Sequence, residues 1–172
     1  MSLTLTKETG AGLNNANAYA DVADGDAFHE GHLYASAWTG AATDAKEAAL
    51  VMATRLIDAE YQFGGVRAIV GQALAWPRRV CPDPETGDML AFNAVPKAVL
   101  DATCELAREL LIVDRTAAPE GEGLKYANVS TTQTGYDKAD KRPVIPALVQ
   151  ATLAKFGVLI KAKSGAVKLV RV

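Results

Sequence analysis

The stretch Val95-Pro-Lys-Ala-Val-Leu-Asp-Ala-Thr-Cys-Glu-Leu-Ala-Arg-Glu-Leu-Leu-Ile-Val113 decides the fold class. Pro96 suits the first turn of a helix, where the missing N–H would have no partner in any case. Apolar residues follow at helical spacing in two stripes: Val95, Val99, Ala102, Leu106, Leu110 and Val113, then Leu100, Cys104, Ala107 and Leu111. A helix that is apolar on much of its circumference is covered on two sides. The pattern therefore predicts a central helix.

The N-terminal half predicts two more helices. Asp21 is a good N-cap residue, which begins the first of them over about residues 21–33. Asp44 and Glu47 stand at capping-box spacing, which begins the second over about residues 44–60. An apolar stripe in the second supports the assignment.

The C-terminal third changes character. Residues from Leu124 to Tyr136 are rich in Thr, Val and Tyr, which favours strands, so we predict an extended or β arm around 124–142. Pro146 opens a last helix, whose inward positions are Val149, Leu153, Phe156 and Ile160. The tail, Val167-Lys-Leu-Val-Arg-Val172, is a candidate terminal strand, and a strand edge without a neighbour seeks a partner.

Composition agrees with one domain of ordinary size. The chain has 172 residues, of which 49% are hydrophobic and only 6% aromatic, which indicates closely packed helices with small side chains. We therefore predict a mainly α fold, a small bundle of about four helices with the arm and the short tail attached. A helical core over about 19–113 and the remainder over 114–172 make up a single domain, 1–172.

The net charge of −2 hides a strong polarity along the chain. Residues 1–60 carry three basic and nine acidic side chains, whereas residues 121–172 carry nine basic and three acidic ones. Such asymmetry indicates an acidic and a basic face, or self-association in which one end meets the other. A solvated helix face beside a basic tail explains the counts equally well.

The run Gln72-Ala-Leu-Ala-Trp76-Pro77-Arg78 joins a large aromatic, a rigid proline and a fixed positive charge. Pro77 disfavours a helical conformation at Trp76, and the indole offers a large area to bury. Trp76 and Pro77, like Tyr19 and Trp38, are therefore predicted structural anchors. Arg78 is either an internal tie or a contact between subunits.

Catalytic and metal chemistry finds little support. His29 and His32 share a face with Asp26, but no fourth metal ligand stands at a familiar spacing. The pairs Gly64-Gly65 and Gly10-Ala-Gly12 are not followed by Lys-Ser/Thr and so are not phosphate loops. No serine lies in a nucleophile elbow. We predict no enzyme activity, no cofactor and no metal.

The basic C-terminal third is the better functional lead. Its cations could contact phosphates in a salt-sensitive, sequence-blind mode, with few aromatics for base stacking beyond Tyr126, Tyr136 and Phe156. Docking on an acidic partner protein explains the same charges. The residues assigned to an interface are Arg78, Tyr126, Tyr136, Lys161, Lys163, Lys168 and Arg171.

Four motifs in order resemble one family. They are Asn15-Ala-Asn17-Ala-Tyr19-Ala-Asp21, Ala53-Thr-Arg-Leu-Ile-Asp58 after Trp38, Gln72 to Arg78, and Val95-Pro96. The pattern is similar to that of tailed-bacteriophage head–tail connector (adaptor) proteins, some relatives of which are labelled DnaT-like single-stranded-DNA-binding proteins. The resemblance covers roughly residues 10–113.

The resemblance implies a structural protein of the virion, at the head–tail interface. Such proteins form a ring, commonly of twelve copies, beneath the portal, continue the DNA channel and provide a platform for the tail or head-completion proteins. The implied partners are therefore further copies of the chain, the portal and tail proteins, with non-specific contact to genomic double-stranded DNA. Single-stranded-DNA binding of the DnaT-like type is the alternative.

Sequence patterns also bear on location. No apolar run reaches the roughly 20 residues that a membrane helix needs, and the N-terminus lacks the pattern of a signal peptide. Cys81 and Cys104 make no disulfide framework. We expect synthesis in a reducing cytoplasm, which for a phage protein is that of the bacterial host.

Overall fold

The computed structural model describes residues 3–118, 126–129, 132–135 and 142–160. Within these residues the helices are α1 (Val22–Glu30), α2 (Ser36–Thr39), α3 (Thr43–Glu60), α4 (Lys97–Ile112) and α5 (Ala147–Leu153). The strands are β1 (Tyr61–Phe63), β2 (Val66–Arg67), β3 (Arg78–Arg79), β4 (Tyr126–Val129), β5 (Thr132–Gly135) and β6 (Gly157–Leu159).

Helix α4 is the centre of the fold, as its two apolar stripes predict. It begins at Lys97, directly after Pro96, and packs against α1, α2, α3 and α5. Its middle is so well covered that even Glu105 and Arg108 are buried. The prediction of a central helix covered on two sides is confirmed.

Three antiparallel strand pairs accompany the helices in the described ranges. β1 pairs with β6, β2 with β3, and β4 with β5. The first pair brings residues almost one hundred positions apart together, with Tyr61 opposite Leu159 and Phe63 opposite Gly157. The last pair lies within the arm that the sequence predicts to be extended, with Tyr126 opposite Gly135.

The prediction of a mainly α bundle is wrong. About 40% of the described residues are helical and about 10% lie in strands, and the fold is α+β. The sequence predicts a last helix that continues to Ile160, but α5 ends at Leu153 and the chain turns into β6. Gly157 disfavours a helix by about 1 kcal/mol relative to alanine, and pairing with β1 provides hydrogen bonds that a frayed helix end would lack.

The starts of α1 and α3 differ in how well local signals predict them. Asp21 caps α1 through a complete capping box, in which its side chain accepts from the Asp24 N–H and Asp24 accepts from the Asp21 N–H. The predicted box of Asp44 and Glu47 is wrong, because α3 begins at Thr43 after Ala42 with no side-chain cap.

The core lies between α3, α4 and α5 and is closed by large aromatic side chains. Tyr19, Trp38 and Trp76 are completely buried, and the Trp76 ring packs edge-on against Phe63 and Phe156. The four residues predicted as anchors, Tyr19, Trp38, Trp76 and Pro77, are all buried. Burying each large aromatic removes about 150–250 Å² from water, so these rings contribute much of the core.

Candidate functional site

Three of the four sequence motifs meet in one buried network of hydrogen bonds. Tyr19, from the first motif, donates its hydroxyl to Asp58 Oδ1 at 2.5 Å. Asp58, from the second, accepts the Ala75 N–H on Oδ2 at 2.8 Å. The Trp76 N–H, from the third, donates to the Tyr19 hydroxyl at 3.2 Å. The network ties the start of α1, the end of α3 and the Trp-Pro-Arg run together.

Burial dominates the titration of this network. Desolvation raises the pKa of Tyr19 well above its ordinary value, and the Asp58 carboxylate beside it raises that pKa further. Desolvation also raises the pKa of Asp58, although the hydrogen bonds from Tyr19 and from the Ala75 amide lower it. Tyr19 therefore keeps its proton, and its hydroxyl donates the hydrogen bond that ties Asp58 into the network.

Arg78 is engaged by backbone carbonyls of its own chain. Its guanidinium donates to the carbonyls of Gly64, Ala75, Phe63 and Gly65, at 2.5, 3.0, 3.3 and 2.8 Å. The planar fork of five donors is suited to such a set. Of the two roles that the sequence left open, this geometry favours the internal tie.

Gln72 holds the same loop from its other side. Its side chain accepts the Ile69 N–H at 2.9 Å and donates to the carbonyls of Leu74 and Pro77, at 2.8 and 3.0 Å. The Trp76–Pro77 peptide bond is cis. The run from Gln72 to Arg78 is therefore held at both ends by its own polar side chains.

Trp38 is fixed by α1 and α3. Its indole N–H donates to Asp26 Oδ1 at 2.8 Å, and Lys46 donates to the same oxygen at 2.7 Å. The Lys46 ammonium also lies 5.2 Å from the indole centre, within the range of a cation–π contact. These hydrogen bonds lower the pKa of Asp26. Asp26 thus holds both the Trp38 indole and the Lys46 ammonium in place.

The two histidines lie against α4. His29 is buried, with Nε2 3.1 Å from the Cys104 carbonyl, and desolvation lowers its pKa. His32 Nε2 lies 3.5 Å from Glu105, which also accepts from Arg108 at 2.6 Å. Within the part of the chain that the structure describes, no group of three His, Cys, Asp or Glu residues has the arrangement of a metal site.

Glu8 holds the N-terminal loop in place. Its buried carboxylate accepts the N–H groups of Gly10 and Gly12 on Oε1, at 2.8 and 2.9 Å, and that of Leu13 on Oε2, at 2.8 Å. Gly10 and Gly12 have φ values of 97° and 68°, a region that only glycine adopts readily. This role of Glu8 was not predicted, although an acid two residues before a Gly-Ala-Gly run is a signal for it.

An exposed apolar surface, here named the hairpin patch, surrounds β2 and β3. Its exposed cations are Arg67 in β2 and Arg79 in β3, and Arg79 stands opposite Val66 in the strand pair. The exposed apolar residues in and directly beside these strands are Val66, Ile69, Val70 and Val80, and Met89, which pairs with Pro82, and Phe92 are exposed in the loop that follows. Exposed apolar residues gathered in neighbouring loops mark interaction sites more often than scattered ones do. No sequence pattern predicted this patch.

The predicted interface residues fall mostly outside the described structure. Tyr126 is described only through the pairing of β4 with β5. The remaining predicted interface residues other than Arg78 lie outside the described residues: Tyr136, Lys161, Lys163, Lys168 and Arg171. Among the predicted interface residues, Arg78 is the one whose side-chain contacts are described.

The described residues carry more acidic than basic side chains. They include eleven basic and sixteen acidic side chains, whereas residues 161–172 contain four basic residues and no acid. Several of the eleven are engaged with acids, as Lys97 is with Asp101 at 2.6 Å. The strongest local concentration of positive charge in the sequence thus follows directly after β6.

None of the described helices is both long and apolar enough to cross a membrane. No curated protein and no solved structure matches the chain. A family model does match: the family described as "Putative DnaT-like ssDNA binding protein" covers residues 3–172. Since the match spans nearly the whole chain, it includes both the buried network and the basic tail. The protein belongs to this DnaT-like family.

Proposed function

We propose that the protein binds single-stranded DNA and that the basic residues after β6 supply most of the contacts. The observation that carries the proposal is the family membership together with the charge distribution, in which residues 161–172 hold four cations and no acid. Phosphate contacts from lysine and arginine account for most sequence-independent affinity for nucleic acids.

The acidic side chains of the described residues, here called the acidic body, also influence where DNA can bind. A strand of DNA is repelled by the sixteen acids of the described residues and attracted by the tail. This separation of charge limits DNA binding to the basic tail and its surroundings. We therefore expect each chain to bind only a short stretch of single-stranded DNA.

The test is a titration of a labelled oligothymidylate at several salt concentrations. The logarithm of the association constant should fall linearly with that of salt, by about 0.7 for each phosphate contacted. Replacing Lys161, Lys163 and Lys168 together by glutamine should lower this slope by about 2. Lys97→Gln is the control, because Lys97 is exposed but lies on the body beside Asp101. Failure of the intact chain to bind at low salt would exclude the proposal.

A second candidate is a structural adaptor of a phage virion, in which copies of the chain assemble into a ring. The specific observation in its favour is the hairpin patch, which leaves apolar side chains such as Val70 and Val80 in water. A ring is built from head-to-tail contacts between two different surfaces, and an acidic body with a basic tail suits such contacts.

The adaptor proposal predicts that the chain is found in purified virions and in ring-shaped particles. Val70→Ser with Val80→Ser should abolish ring formation while leaving the affinity for an oligonucleotide nearly unchanged. The triple lysine replacement should lower the affinity for the oligonucleotide if DNA binding is the function, and it should also weaken a ring in which the basic tail of one copy contacts the acidic residues of the next. Absence of the chain from virions, measured by mass spectrometry, would remove the adaptor candidate.

A further inference from the structure

A second exposed apolar surface, here named the α1–α2 corner, lies where α1 ends. It consists of Glu30, Leu33 and Tyr34, and the Leu33 and Tyr34 side chains are 85% and 73% exposed. The backbone at this point is held from both sides. The Tyr34 N–H donates to His32 Nδ1 at 3.1 Å, and the Tyr34 carbonyl accepts from Arg108 of α4 at 3.5 Å. Two large side chains are thus presented to solvent on a backbone that is already ordered.

The corner and the hairpin patch carry opposite charge. Residues 61–82, which contain β2 and β3, include three arginines and no acid, whereas residues 21–34 include four acids and no lysine or arginine. Lys7 and Lys46 form ion pairs with three of those acids. Within the described ranges, neither Glu30 of the corner nor Arg79 of the patch forms an ion pair. Each apolar surface therefore has one such charge beside it, and the two charges are complementary.

The two surfaces lie at opposite ends of α3. Lys46, near the start of α3, donates to Asp26 of α1, four residues before Glu30. Asp58, near the end of α3, accepts the Ala75 N–H from the segment between β2 and β3. The 18 residues of this helix separate its ends by about 27 Å. The patch of one copy can therefore meet the corner of another while its own corner stays uncovered.

The backbone of Val80 gives an independent reason to expect a contact at the patch. Its φ is 55°, in the left-handed region that β-branched residues rarely adopt. Its side chain is nevertheless 69% exposed. Backbone strain of this kind clusters at functional sites. A partner that covers Val80 would provide the burial that the described part of the chain does not.

We propose that the hairpin patch of one copy binds the α1–α2 corner of a second copy. The contact is head-to-tail because the two surfaces differ, so a joined pair keeps one patch and one corner for further copies. The inference deepens the adaptor candidate by naming the surface that the patch meets, and it rests on that candidate only for the closing of a ring. The side chains that meet are Val70, Val80 and Arg79 of one copy and Leu33, Tyr34 and Glu30 of the other.

Sedimentation equilibrium at increasing protein concentration tests the contact. Association should depend strongly on concentration, because the contact is smaller than the roughly 20–30 residues a side of a stable complex. The patch variant V70S/V80S and the corner variant L33S/Y34S should each stay monomeric where the unchanged protein associates. Leu148→Ser on α5 is the control, since Leu148 is 61% exposed but belongs to neither surface, and it should associate normally. Thermal unfolding of each variant checks that the fold is retained.

Mixing the two variants identifies the head-to-tail arrangement. The patch variant keeps an intact corner and the corner variant keeps an intact patch, so an equal mixture should form heterodimers that grow no further. The ion pair is tested by charge exchange. Arg79→Glu and Glu30→Arg should each weaken association alone and should restore it when combined in one chain.

Two results would overturn the contact. The first is a monomer at every concentration of the unchanged protein. The second is association of the corner variant with itself, because the patch would then meet a different surface.

The contact and the adaptor candidate can fail separately. Head-to-tail association of a chain that is absent from virions would support the contact and remove the adaptor candidate. A chain found in virions whose two variants form no heterodimer on mixing would keep the adaptor candidate and overturn the contact.

Discussion

Gly25 lies so close to the indole of Trp38 that a Cβ at position 25 would stand 2.3 Å from Cζ2 and 2.7 Å from Cη2. The contact joins α1 to the short α2, and Asp26 beside it accepts the indole N–H. A glycine inside a helix usually lowers its stability. Here the absence of a side chain at Gly25 leaves the space that the buried indole of Trp38 occupies.

Gly25→Ala should therefore destabilise the protein, by about 1–3 kcal/mol, because overpacking forces the ring or the helix to move. The matched control is Gly31→Ala at the end of α1, where a Cβ would meet nothing within 4 Å. Urea unfolding of both variants measures the difference. Equal stability of the two would contradict the packing described for Trp38.

Tyr19→Phe should cost about 1–3 kcal/mol, because it leaves the Trp76 N–H and one oxygen of the buried Asp58 without a partner. Tyr34→Phe is the control, since the Tyr34 side chain is exposed. A double-mutant cycle with Asp58→Asn, followed by denaturant unfolding, gives the coupling of the pair. Coupling within experimental error of zero would show that the two residues contribute independently.

Arg78→Lys should destabilise the protein nearly as much as Arg78→Ala. A lysine has three donors on a single nitrogen and cannot reach the four carbonyls that the guanidinium spans. Arg79→Lys, at the neighbouring exposed position, should change the unfolding midpoint little. If Arg78 acted mainly between subunits, both Arg78 variants would unfold like the unchanged chain and fail only in assembly.

His29 should make the protein less stable in mild acid. Desolvation lowers its pKa in the folded state, so as the pH falls the unfolded chain takes up a proton at about pH 6.5, before the folded chain does. Stability is then fully present above that pH and is lost as the pH falls toward the folded-state pKa. The free energy of unfolding, measured from about pH 7 to 5, should decline less in His29→Gln than in the unchanged protein. His32→Gln, which retains His29, should keep the decline.

The helical part of the fold could be predicted from the sequence because its signals are local. Two apolar stripes were enough to identify α4, and Asp21 was enough to locate the start of α1. The β1–β6 pair depends on residues far apart, Tyr61 and Leu159, and leaves no periodic pattern in either short segment. In the sequence Gly157 looks like a flaw in a helix, whereas its absent side chain lets the strand pass close to Gln62 and Phe63.

Parts of the candidate site could also be predicted from the sequence, and other parts could not. Trp76 and Pro77 could be recognised as anchors from their chemistry alone, since a large ring beside a rigid residue has few other uses. The partners of Arg78 could not be predicted, because three of its four carbonyls belong to residues 63–65, beyond the loop that carries it. The hairpin patch arises only when β2 pairs with β3 and brings Val66 opposite Arg79.

The Glu8 carboxylate gives the glycine loop its own intramolecular ligand. Three amide N–H groups that converge on one oxygen pair resemble the cradle that other proteins offer to a phosphate. In this chain the anion is the buried carboxylate of Glu8, which is covalently part of the protein. A free phosphate would have to displace this carboxylate, whose effective concentration at the loop is high. The loop is thus a receptor that is already occupied, and any nucleic-acid backbone must find its amides and cations elsewhere on the molecule.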